Sequence, residues 1–269
     1  MQLDKTRIAI RERSFLDILD LALSVLRQHA GPLALALLAG AVPAALVNHW
    51  LLQGLLTESG SEVVWYLFLM ALLVYLEMPL ATAPVTLYLG QALFVERPSA
   101  ARLIKDFVTS LPQMVLYQLA PRALFMPLFI TIPVPFLGWP YLGEIILLER
   151  NPWRKRLPAG TSTLSRSGNM HGRNRGELLT RWLGSVMVGT LLLFVFWRSL
   201  WFLAEVLTGQ LDDVTPQCTV WLPAALWLVL GYFAIVRFLS YLDLRIRTEG
   251  WEIELLLRAE AVRLGRQIS

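Results

Sequence analysis

A single cysteine, Cys218, among 269 residues leaves no disulfide to form within the chain and no thiolate cluster for zinc. The three histidines, His29, His49 and His171, are expected on the inner surface, near the outer surface and in an inner loop, so they do not converge on a metal. Charge is scarce as well: acidic and basic residues make up 16% of the chain, against about a quarter in an ordinary soluble domain. With 56% hydrophobic residues, too little polar surface exists to cover a globule, which leaves lipid as the solvent for the apolar faces. There is no H-E-x-x-H, G-x-S-x-G, P-loop or C-x-x-C. No nucleophile–base set can be assembled, so the expectation is a protein that is not an enzyme and carries no cofactor and no metal. A short basic leader is missing too. "MQLDKTRIAIRERSFLDILD" mixes both charge signs before the first long apolar run, so that run is expected to stay in the mature protein.

Apolar runs long enough for a bilayer core, roughly 20 helical residues, lie near 31–52, 63–94, 110–132, 181–207 and 219–242. The second is longer than one crossing needs, and Pro79 and Pro84 in its middle predict one kinked helix. Pro135–Glu149 is shorter. It reads either as a short span completed by "TIPVP" or as half of a re-entrant hairpin with 110–132, and both return the chain to the same side. The expected fold is all-α: a polytopic membrane helix bundle of about six transmembrane helices, one short or re-entrant, with interfacial amphipathic helices at both ends. Its divisions are an N-terminal helix in 1–30, four spans in 31–149, a basic loop at 150–181, two spans in 182–242 and a C-terminal helix in 243–269.

Charge orients this plan. Of the 24 lysines and arginines, all but Arg122 and Arg198 fall in 1–30, 95–109, 150–181 and 237–269. The opposite connections near 53–62, 131–140 and 208–218 carry none, and hold Glu58, Glu62, Asp212 and Asp213 instead. By the positive-inside rule both termini are cytoplasmic, in the cytoplasmic (inner) membrane of a bacterium, and Cys218 is outside, within reach of an impermeant thiol reagent.

Ser14 followed three residues later by Asp17 has the spacing of a capping box. Phe15, Ile18, Leu19, Ala22, Val25 and Leu26 then make an apolar stripe at helical spacing, as expected of a helix lying on the inner leaflet. The stretches "RSFLDILDLALSVLRQHAGPLALALLAG", "EIILLERNPWRKR" and "YLDLRIRTEGWEIELLL" resemble a bacterial membrane-domain superfamily. It comprises the integral-membrane domain fused to some glycerophosphodiester phosphodiesterases and related stand-alone six-helix proteins. The resemblance implies a six-helix bundle. It carries over no catalysis, because in such fusions the chemistry belongs to a separate soluble barrel.

Ionisable residues inside the spans are the candidates for function, since a charge in hydrocarbon is expensive. They are Glu77 at the kink of the second span, Arg122 between Pro121 and Pro127, Glu144 in the short piece and Arg198 deep in "LLLFVFWRSLWF". Glu77 and Arg122 are expected at similar depth, and Arg198 two turns before Glu205 on one face. One reading is structural, with a Glu77–Arg122 pair holding a broken helix and Arg198 snorkelling outward. The other is a polar cavity at the proline breaks that takes a headgroup or ion. Ala36, Gly40 and Ala44, and again Ser185 and Gly189, recur every four residues as close-packing stripes. Trp50, Trp65, Trp139, Trp182, Trp201 and Trp221 fall near span ends, where indoles anchor.

The inner loop sets Arg154, Lys155, Arg156, Arg166, Arg173 and Arg175 among Gly168, Gly172 and Gly176. Freed amides beside guanidinium groups suit a phosphate or the anionic lipid of the inner leaflet. Nucleic acid is not expected, because Trp153 and Trp182 flank the basic residues instead of interleaving with them. The function expected is a non-catalytic scaffold or envelope component that binds anionic membrane lipids and cytoplasmic protein partners. The alternative is a small transporter or permease subunit using the Glu77/Arg122 region.

Overall fold

The computed structural model describes residues 14–55, 61–95, 98–128, 131–150, 152, 162–172, 175–209 and 216–249. The C-terminal helix expected in 243–269 lies outside them beyond residue 249. The described residues are helical, without strands. In chain order they form α1 (Phe15–Gln28), α2 (Ala30–Leu52), α3 (Ser61–Ala92), α4 (Ala100–Met114), α5 (Ala120–Phe125), α6 (Val134–Gly138), α7 (Leu142–Glu144), α8 (Thr163–Gly172), α9 (Arg175–Thr208) and α10 (Leu222–Glu249). Wider π-helical turns join α4 to α5 (Val115–Leu119), extend α7 (Ile145–Glu149) and lead into α10 (Gln217–Trp221).

Four helical stretches are long and apolar enough to cross a bilayer: Ala30–Leu52, Val63–Ala92, Gly176–Leu207 and Gln217–Thr248. This is fewer than the six crossings expected, and the shortfall lies in 100–150. There α4, its π turn and α5 run on from Ala100 to Phe125, but α4 is strongly two-faced: Asp106, Ser110 and Gln113 are buried while Ile104 and Val108 are exposed. The return, α6 and α7 with its π turn, is short and broken at Trp139–Tyr141. Prolines explain the breaks. Pro121 donates no hydrogen bond to the preceding turn, and just before it the helix widens so that the Ala120 N–H reaches the carbonyl of Val115. Beyond Phe125 the freed carbonyls are met by Thr131, whose hydroxyl donates to Phe125 O at 2.8 Å and to Leu128 O at 2.6 Å.

α2 and α3 form an antiparallel hairpin. Lipid is as apolar as leucine, so such helices gain by close backbone approach at small residues more than by hiding apolar area. Gly40, in the expected stripe, does this: a Cβ there would overlap the Ala81 carbonyl, midway between Pro79 and Pro84. Gly189 does the same more loosely between α9 and α10, where a Cβ would stand 3.3 Å from the Phe233 ring.

The capping box at Ser14 is present in both directions, with Asp17 N–H donating to Ser14 Oγ at 3.2 Å and Ser14 N–H to Asp17 Oδ2 at 3.1 Å. The stripe that follows faces protein, not lipid. Ile18 and Ala22 are fully buried in a core with Leu33, Val85, Ala234, Ile235 and Phe238, and the Leu19 carbonyl accepts from the Tyr232 hydroxyl at 2.8 Å. Cys218, expected to be reachable from outside, is buried.

Candidate functional site

Charged side chains gather at one end of the bundle and tie its segments together. On α10, Asp243 binds Arg181 of α9 at 2.6 Å and Arg247 at 2.8 Å, and Arg247 also holds Glu177 at 2.6 Å. Two and six residues before Asp243 on the same helix, Tyr241 donates to Glu149 Oε1 at 2.7 Å and Arg237 pairs with Glu144 at 3.0 Å. Glu149 also receives Arg166 of α8 through two nitrogens, at 2.9 and 3.1 Å. Arg150 reaches Asp106 of α4 at 2.5 Å. The π turn at Ile145–Glu149 sits in this set, with Glu144 and Glu149 both directed at α10.

α8 lies in the stretch read as a glycine-spaced basic loop. Its inward face, Thr163, Ser167, Met170 and His171, is buried at helical spacing, whereas a Cβ at Gly168, Gly172 or Gly176 would meet nothing. The glycines therefore mark an open face. His171 holds α8 to α7: its Nδ1 lies 3.0 Å from Ser167 Oγ and its Nε2 accepts from the Tyr141 N–H at 3.4 Å. Burial lowers its pKa to about 4, outweighing the hydrogen bond at Ser167, which acts to raise it.

The four intramembrane candidates do not meet as expected. Glu77 and Arg122 lie at similar depth along α3, but on opposite sides of it. Glu77 accepts from Asn48 of α2 at 3.0 Å, while Arg122 lies against Tyr75 and Phe136, its guanidinium carbon 5.7 and 5.2 Å from their ring centroids. Tyr75 and Glu77 are two residues apart, about 200° around a helix of 3.6 residues per turn, so one acid cannot serve both sides. Glu144 is Arg237's partner, and Arg237 was grouped with the tail charges by the sequence pattern. Arg198 stands over the Trp201 ring at 3.9 Å on the exposed side of α9, with no ion pair to Glu205 among the described residues.

Arg122 is 2% exposed. Its Nη1 donates to the carbonyl and the side-chain oxygen of Gln118, and its Nε has no acceptor. Of the two buried arginines among the described residues, Arg181 is paired with acids and Arg122 has no carboxylate within 4.0 Å. Of the six basic-face candidates, Arg166 is taken up by Glu149. Arg154, Lys155, Arg156 and Arg173 lie outside the described residues, and Arg175 is the first residue of α9. Gln118, Tyr75, Asn48 and Arg237 escaped the sequence reading. Gln118 and Asn48 were signalled only as amides inside apolar runs.

Compared with family models, with curated proteins and with solved structures, the chain finds no match in any of the three. The likeness to phosphodiesterase membrane domains is thus a resemblance of short stretches and assigns no family.

Proposed function

We propose that the chain is a non-catalytic scaffold or envelope component of a bacterial cytoplasmic membrane, binding anionic lipid and protein partners through its basic inner face. In this reading α2, α3, α9 and α10 cross the bilayer, 100–150 dips in and returns as a re-entrant hairpin, and both termini are cytoplasmic. The hairpin is supported by the Tyr75 hydroxyl, which donates to the Ile132 carbonyl at 3.2 Å. Tyr75 lies 14 residues into α3, about 21 Å from its Ser61 end at 1.5 Å per residue, so the tip stops near mid-depth. The distribution of lysine and arginine supports the orientation.

The observation that carries the scaffold reading is the ion-pair lattice. It joins α9 to α10, and the 142–150 segment to α4, α8 and α10, at the end where the basic stretches gather. A braced end followed in sequence by Arg154, Lys155 and Arg156 suits a docking platform for anionic headgroups and acidic protein surfaces. Affinity purification in mild detergent, with lipid and protein identification, tests it. Co-purification of anionic phospholipid that falls when those three residues become glutamine is the expected result, and recovery of a stoichiometric ATPase subunit instead would overturn it. The permease reading has one observation in its favour, Arg122, which has no acid partner among the described residues and lies against Tyr75 of the proline-containing α3.

A further inference from the structure

The surroundings of Arg122 contain more hydrogen-bond donors than acceptors. A guanidinium offers five N–H donors in a planar fork. Here Nη1 is spent on Gln118, whose carbonyl and side-chain oxygen are both consumed by it, and Nε is buried with no acceptor. Because the Gln118 oxygen faces Arg122, its amide nitrogen points the other way, toward Gly143, where a Cβ would lie 3.6 Å from it and 3.8 Å from Arg237 Nη2. That amide nitrogen donates to no described residue. The one nearby acid, Glu144, is bound to Arg237. Two arginines and one carboxylate leave a net charge of +1, and Arg122 is the buried cation, against the rings of Tyr75 and Phe136. An uncompensated charge at such a place is costly, and interior ionisable groups usually mark a ligand or ion path. The same segment combines a π turn, which often accompanies function, with helix ends broken inside the bundle.

We infer that Arg122, through the Nε edge that Gln118 leaves free, forms an intramembrane site for an oxyanion of phosphate type. A guanidinium edge matches two oxygens of such a group at once. The group arrives either as the headgroup of an anionic phospholipid or as free phosphate. The inference rests on the re-entrant placement of 100–150 proposed above and concerns a different surface from the basic inner face.

The test uses the full-length protein, purified in detergent and reconstituted in nanodiscs. Native mass spectrometry and thermal shift are read with phosphatidylglycerol, with phosphatidylcholine and with inorganic phosphate. Wild type should retain phosphatidylglycerol or bind phosphate at least tenfold more tightly than Arg122→Gln. Arg122→Lys, which keeps the charge and loses the planar fork, should lose binding to a similar degree, and Gln118→Leu, which releases Nη1 from its anchor, provides a third variant if either of these fails to fold. Displacement of the lipid by phosphate assigns the site to the free anion, and lipid binding indifferent to phosphate assigns it to the headgroup. The triple variant Arg154→Gln, Lys155→Gln, Arg156→Gln should keep this binding, which separates the site from the basic face. Equal binding by wild type and the variants, or none by wild type, overturns the inference and leaves Arg122 a structural residue.

Discussion

Asp243 is the residue on which the α9–α10 contact should depend most. Its side chain is 4% exposed and faces two cations, Arg181 Nη2 at 2.6 Å and Arg247 Nη2 at 2.8 Å. Asp243→Asn keeps the shape and removes the charge, so both guanidinium groups are left to Glu177, which is 38% exposed. Breaking a buried pair by neutralising one partner costs about 3–5 kcal/mol, because the surviving charge stays out of water. Arg181→Met is a milder change: Asp243 keeps Arg247, and the loss is that of charged hydrogen bonds, roughly 1.5–3 kcal/mol. The double variant should cost less than the two singles together, with a coupling of about 0.5–3 kcal/mol. The assay is unfolding by sodium dodecyl sulfate titrated into dodecyl maltoside micelles, followed by tryptophan fluorescence. Asp243→Asn within about 0.5 kcal/mol of wild type, or ranking below Arg181→Met, would refute the view that this aspartate organises the lattice.

Further outcomes follow from single contacts. Gly40→Ala should strongly lower the thermal midpoint in detergent, because its Cβ overlaps backbone at Ala81. Gly31→Ala, with open space at the same helix's start, should be neutral or stabilise by up to about 1 kcal/mol. His171 is a base whose folded pKa, about 4, lies below its ordinary 6.5, so the unfolded chain takes up the proton first. Its stabilising contribution is complete above pH 6.5 and falls as pH drops toward 4, by about 3 kcal/mol in the limit at about 1.4 kcal/mol per unit. Thermal midpoints measured across that window should fall for wild type and stay flatter for His171→Gln. In a Cys218→Ser background, Gln53→Cys should react with an impermeant maleimide on intact cells, and Ala100→Cys only after permeabilisation. Gly138→Cys separates a full crossing from a re-entrant hairpin: it stays unlabelled from outside if the hairpin turns at mid-depth.

What the sequence made legible was set by local chemistry and composition. The Ser14–Asp17 box was readable because both partners lie within one turn, and Gly40 because a small residue every fourth position has few other uses in an apolar helix. The long spans were readable because about 20 apolar residues have no other home. The 100–150 hairpin was half readable. Its apolar content was visible, but the inward polar face of Asp106, Ser110, Gln113 and Gln118 is paired only after folding, with partners such as Arg150 and Arg122.

The site itself failed to appear for a geometrical reason. Sequence position gives depth along a span; it does not say which way a side chain points relative to helices not yet placed. Glu77 and Arg122 share a depth and face opposite sides of α3, and the acid near Arg122 belongs to Arg237, 93 residues away from it. Nor does anything local mark where α10 leaves the apolar layer, so Arg237 counted as a tail charge while its guanidinium reaches back to Pro140 O and Glu144. Packing was equally invisible in the basic loop. Glycines at 168, 172 and 176 drew attention to an open face, and the packing contacts of α8 run through Ser167 and His171 on the other. A charge count along the chain can therefore assign a side and still misassign a partner. Arg122, whose sequence neighbourhood is only two prolines and an apolar run, is the residue whose unmet donors single it out once the helices are assembled.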